Sequence, residues 1–91
     1  MQIEFDAKKA TSNLKKHGIS FEEATSCLLD PLALARSDPD ARDEVRWLLL
    51  GTSNAGRLLA IWYTLRDDET IRQISARRAT RKEMKCYAQG I

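Results

Sequence analysis

Apolar and polar positions along this chain change period three times, and the changes divide it into elements. Ile3 and Phe5 alternate with polar neighbours, as in a short strand. From Asp6 the spacing becomes helical: Asp6 is placed as an N-cap, Ala7, Ala10 and Leu14 run on to His17, and Gly18 supplies a stop. Ser20 and Glu23 have the capping-box spacing, so a second helix is predicted to start at once and turn Phe21, Ala24 and Leu28 inward until Asp30 and Pro31 end it.

Beyond Pro31 the period falls to that of strands. Short apolar runs at Leu32 to Ala35, Val45 to Leu50, Leu58 to Leu65 and Ile71 to Ala76 are separated by turn residues, and the last two breaks are short enough for hairpins. Thr80 and Glu83 repeat the capping-box spacing, and Met84, Tyr87 and Ala88 form the predicted apolar face of a last helix ending near Gly90. The order strand, helix, helix, four strands, helix predicts one α+β domain over residues 1–91, an antiparallel sheet of four to five strands covered by helices.

Composition narrows the function. A hydrophobic share of 43% with 31% charged residues belongs to a folded chain. No apolar run is long enough to span a membrane and the opening residues read as a strand, so cytoplasmic residence without membrane contact is expected. Cys27 and Cys86 lack CxxC spacing and one histidine cannot complete a zinc site, so two reduced, buried thiols and neither metal nor cofactor are expected. Net charge is only +2, but its distribution is uneven. Met1 to Gly18 has four basic residues against two acidic, the middle from Ile19 to Thr70 five against ten, and the tail from Ile71 six against Glu83 alone. Basic ends brought together by the fold would make a surface suited to phosphate.

Two stretches carry candidate chemistry. Lys15, Lys16 and His17 fall in the last turn of the first helix, where cations offset the macrodipole; His17, the sole imidazole, is also a candidate general acid or phosphate ligand. In the last strand, period two puts Arg72 and Arg78 on one face with Ile74 and Ala76, and Ser75 and Arg77 on the other. Each arginine there needs a carboxylate or a phosphate. Lys82 and Lys85 read as a solvated face, whereas Arg81 lies at a helix start that favours anions. Glu83 is explained by its capping spacing, and Trp47 and Trp62 read as core. Asp38, Asp40, Asp43 and Glu44 could hold magnesium, but Pro39 beside them suits an exposed turn better. Phosphate loops, GxSxG and HExxH are absent.

Taken together, Asp6, the Asn13, Lys16, His17, Gly18 helix end and Phe21, Glu22, Glu23, Ala24 resemble the pattern of the BrnT family. Gly56-Arg57-Leu58-Leu59, Tyr63-Thr64-x-Arg66, Ile74-Ser75-Ala76-Arg77-x-Ala79 and the spaced Glu83 and Tyr87 resemble it too, while Phe5 and Gln73 depart from the family's usual tryptophan and aliphatic residue. The resemblance implies a RelE-like toxin fold and RNA cleavage that arrests translation and growth. It also implies neutralisation by a cognate antitoxin, with operator DNA reached only through that antitoxin, in a homodimer or a toxin–antitoxin hetero-oligomer.

The residues offer a compatible site: His17, Arg66, Arg72 and Arg77 as catalytic candidates, and Lys8, Ser75, Arg81 and Tyr87 as substrate-binding ones. The matching chemistry is metal-independent attack of an RNA 2′-hydroxyl on the adjacent phosphate. A non-catalytic RNA- or ribosome-binding module is the alternative. A DNA-binding repressor ranks last, since no helix precedes the last one to form a helix-turn-helix.

Overall fold

The computed structural model describes residues 2–40, 45–67 and 69–90. Its elements are β1 (Gln2–Phe5), α1 (Ala7–His17), α2 (Phe21–Cys27), β2 (Leu34–Ser37), β3 (Arg46–Thr52), β4 (Leu58–Leu65), β5 (Thr70–Arg78) and α3 (Arg81–Gln89). The helix ends follow local chemistry. The Asp6 carboxylate accepts from Lys8 N–H at 2.9 Å to start α1, and Gly18 at φ 70° ends it. Thr80 and Glu83 close a full capping box on α3. Ser20 caps α2 by accepting from Glu23 N–H, but the expected box there stays half-made, because the Glu23 carboxylate turns away to Arg57 and Ser53.

The strands form one five-stranded sheet in the order β1-β5-β4-β3-β2. The β2–β3, β3–β4 and β4–β5 pairs are antiparallel, but β1 pairs with β5 in parallel, so the expected antiparallel sheet is in fact mixed. A short hairpin forces its strands antiparallel, and none joins β1 to β5. The direction of β1 is set instead by α1, which must start at Asp6 and lie on β5.

Strand β5 also departs from the expected pattern. Trp62 pairs with Ser75 and Tyr63 with Gln73, which leaves Ile74 as the extra residue of a bulge. Strict alternation fails there. Arg72, opposite Thr64, therefore shares a face with Ser75 and Arg77, not with Ile74 and Ala76.

Helices α1 and α2 cover one face of this sheet. Ile19, Phe21, Ala24 and Cys27 are wholly buried there with Leu59, Ile61 and Ala76, each large aliphatic or aromatic side chain contributing about 1.5–3 kcal/mol. Phe5 meets Phe21 edge to face, ring centroids 5.2 Å apart. Gly51 lets α2 sit close, since a Cβ there would lie 2.8 Å from the Cys27 carbonyl oxygen.

The opposite face carries Leu48, Leu50, Trp62, Ser75 and Arg77, with α3 across part of it. Trp47 packs against the core as expected; Trp62 does not, because it pairs with Leu48 and Ser75 on this second face. The apolar face expected of α3 is also revised: Met84 is 47% exposed and Ala88 exposed, while Glu83, Cys86 and Tyr87 turn inward. Polar contacts fix both ends of α3: Glu83 to Arg77, and the Tyr87 hydroxyl to Asp30 and Thr52. Cys86 is accordingly only half-buried, against the expectation for both thiols, whereas Cys27 is buried.

Candidate functional site

Strand β1 ends opposite Gln73, so the next residues of β5 have no strand on that edge. Asn13 takes its place. Its buried amide donates to the Ala76 carbonyl at 2.9 Å and to the Ile19 carbonyl at 3.0 Å, and its Oδ1 accepts from Ala76 N–H at 3.1 Å. One helical turn later, on the same side of α1, stands His17. The clamp thus delivers the imidazole to the two residues flanking Ala76, and His17, Ser75 and Arg77 line one groove of ≈ 290 Å³ together with Trp62, Arg46 and Asp38.

Arg77 is held in this groove by several contacts. Its guanidinium stacks over the Trp62 ring at 4.9 Å, donates from Nη1 and Nη2 to Glu83 at 2.8 and 3.1 Å, and donates from Nη1 to the Arg78 carbonyl at 2.9 Å. A guanidinium has five N–H donors, so these contacts use three and leave Nε–H and one Nη2–H, the two that form its side fork, unengaged among the described residues. Burial would raise the Glu83 pKa, but hydrogen bonds from Arg77 and the Thr80 N–H hold it below the usual carboxylate range. Glu83 therefore stays ionised at neutral pH.

The remaining predicted residues lie elsewhere. Arg66 and Arg72 share one carboxylate, Glu4, at 2.8 and 3.5 Å near the surface, and Arg66 also interacts with Asp67. Lys8 borders a shallow depression on α1 with Lys15. Arg81 is exposed at the first position of α3. Tyr87 lies at the far end of that helix, where the Asp30 carboxylate accepts its proton and raises its pKa, a contact that ties down α3 and lies outside the groove. Asp38 and Asp40 form a turn in which Asp38 accepts from Asp40 N–H, and Asp43 and Glu44 lie outside the described residues.

Sequence reasoning missed Arg46, Trp62 and the role of Glu83. The alternation of Trp62 with buried Ile61 and Tyr63 was a usable signal for the second face. Glu83 gave none, since its partner Arg77 sits on another element.

A family model described as the ribonuclease toxin BrnT of type II toxin–antitoxin systems matches residues 5–83. The chain belongs to the BrnT family. The solved structures agree: the crystal structure of the Brucella abortus ribonuclease toxin BrnT superposes with a TM-score of 0.66 at 26% identity, over 89% of this chain and 99% of that one. No curated protein matches the chain. As a BrnT toxin it is a ribonuclease with a cognate antitoxin as partner. Every residue of the His17–Arg77 groove falls inside the matched span, whereas Cys86 and Tyr87 lie beyond it.

Proposed function

We propose that this BrnT toxin is an endoribonuclease that cuts RNA in the His17–Arg77 groove by metal-independent transesterification, arresting translation and growth in the cytoplasm until the antitoxin binds. The observation that carries this reading is the open side fork of Arg77, which matches the bidentate geometry of a phosphodiester.

In the reaction the 2′-oxygen bonds to phosphorus as its proton leaves to a base. The bond from phosphorus to the 5′-oxygen then breaks, and that oxygen takes up a proton. His17 supplies the imidazole of the groove and is the group assigned to proton transfer. Arg77 and Arg46 face the charge that builds on the phosphoryl oxygens, and losing one such donor costs on the order of 10²–10³ in rate. Ser75 offers a hydroxyl to the same phosphate. Arg66, Arg72, Lys8 and Arg81 hold neighbouring phosphates of the strand, and Tyr87 acts on the site only through α3.

The test is end-group analysis of RNA cut in the presence of a chelator. Cyclic phosphate and 5′-hydroxyl ends are expected; 5′-phosphate ends or strict magnesium dependence would overturn the mechanism. Arg77→Ala should keep wild-type circular dichroism and lose cleavage by about 10²-fold or more, with Arg77→Lys restoring little, since lysine lacks the fork. RNA that binds yet stays intact would leave a non-catalytic RNA-binding module.

A further inference from the structure

The second face holds a cavity that the cleavage reaction does not use. It lies between β2, β3 and α3 with a volume of ≈ 290 Å³, its floor formed by Leu34, Leu48 and Leu50, its wall by Cys86, and its rim by Arg36 and Lys82. Resting on the ribonuclease reading above, we propose that this cavity is a nucleobase pocket, seating a base next to the phosphodiester held by Arg77.

Position is the first argument. Glu83 lines the cavity and also holds the Arg77 guanidinium, so the cavity opens one side chain away from the phosphate fork. A base hangs one sugar away from its phosphate, which is a comparable step. The surface between them is continuous: an intermediate depression shares Arg36 and Leu48 with the cavity and Trp62 with the His17 groove.

Chemistry is the second. Single-stranded RNA is read by splaying bases out into sites that pack their flat faces and bond their polar edges. An aliphatic floor suits the ring faces, and the cationic rim suits the sugar-phosphate chain entering the cavity. Pockets for drug-sized ligands run to about 300–1,000 Å³, and this one sits at the small end, where a single ring system fits. The floor is also left open by the chain itself, because Leu34 and Leu48 are only partly buried and α3 contributes no fully buried residue over them.

Cys86 gives the proposal a direct test. Cys27 is wholly buried, and desolvation pushes its thiol up to about 12, so Cys86 is the thiol that reacts in the native protein. Its alkylation by N-ethylmaleimide is timed in the full chain alone and with saturating 2′-O-methyl oligonucleotide, with an abasic oligonucleotide of the same backbone, with inorganic phosphate, and with the cognate antitoxin. Fluorescence anisotropy reports binding separately. Slowing by about tenfold or more is expected with the base-bearing strand only, the equivalent of about 1.4 kcal/mol of occupancy. Equal protection by the abasic strand overturns the proposal, as does an unchanged rate while the oligonucleotide is bound. Protection by the antitoxin alone assigns the cavity to that protein and overturns it as well. An oligonucleotide that fails to bind sinks the ribonuclease reading, a result distinguishable from the others by anisotropy. As a second measurement, Cys86→Phe fills the cavity: about a tenfold lower kcat/KM and loss of base preference at the cut are expected, with Cys86→Ser keeping both. A cut pattern unchanged in Cys86→Phe overturns the assignment.

Discussion

Asn13 joins fold to function more directly than any other residue outside the groove, and Asn13→Ala measures that link. Its three hydrogen bonds end on backbone groups, and the residue itself is only 6% exposed. Truncation leaves the Ala76 N–H, the Ala76 carbonyl and the Ile19 carbonyl without this partner. An unsatisfied buried group costs about 1–3 kcal/mol. Ala76 lies where no strand covers the edge, so water enters once the side chain is gone, and the lower end applies: about 1 kcal/mol for each group, about 3 kcal/mol in all. For a domain of this size that lowers Tm by about 12–24 °C. Urea and thermal unfolding followed by circular dichroism would measure it. Asn13→Asp should not restore stability at neutral pH, because a carboxylate can still accept from Ala76 N–H but would face the Ile19 and Ala76 carbonyls with no proton to donate. A loss below about 1 kcal/mol in Asn13→Ala would refute the reasoning, since the amide would then not be replacing a strand. Cleavage measured well below the Tm of the variant should also fall, because the end of α1 that carries His17 is released from β5.

Other perturbations test separate parts of the structure. Gln73 is buried with its Oε1 lacking a hydrogen-bond partner among the described residues, while its amide reaches Thr25 Oγ1 at 2.7 Å; Gln73→Met removes the orphan and leaves Thr25 still donating to the Phe21 carbonyl, so unfolding in urea should show a gain of about 1 kcal/mol. Gly51→Ala drives a methyl to 2.8 Å from the Cys27 carbonyl oxygen and should cost about 1–3 kcal/mol by the same assay, with a wild-type midpoint as the contrary result. The Arg57 hydrogen bond holds the Glu23 pKa below its ordinary value, so the stabilisation is full above the unfolded carboxylate pKa of about 4.3 and is lost as pH falls from there through the lowered folded value; Glu23→Gln should flatten stability against pH over that acid range.

The parts of this fold that were legible in the sequence are those fixed within a few residues. Asp6, Gly18, Ser20, Thr80 and Gly90 mark helix ends because capping is a contact between near neighbours. The β3–β4 and β4–β5 pairs follow from short turns. What stayed hidden depends on partners far along the chain. The partner of β1 is a strand 68 residues away, as the Glu4–Arg72 register shows, and the bulge at Ile74 exists only relative to β4. On the expected apolar side of α3 only Tyr87 packs, while Met84 and Ala88 stay exposed, because the surface beneath holds a guanidinium that draws in Glu83. The site itself draws on α1, β3, β4 and β5, so His17 and Arg77 could be named from sequence but their company of Trp62 and Arg46 could not.

Glu83 raises a question of charge, since a carboxylate beside Arg77 repels the phosphate that Arg77 is meant to hold. Geometry resolves it. Glu83 engages the end of the guanidinium and the Arg78 carbonyl its inner edge, so the phosphate approaches along the remaining side from Nε to Nη2. A free arginine would lose about 2 kcal/mol of rotamer freedom on binding a phosphate. Here Trp62 and Glu83 have already removed that freedom during folding, so the binding step is spared it. The contrast with Arg66 and Arg72 is instructive, because exposed pairs such as theirs with Glu4 are worth only about 0–1 kcal/mol and fix no orientation. Those two can draw RNA toward the sheet, whereas Arg77 is aimed before the strand arrives.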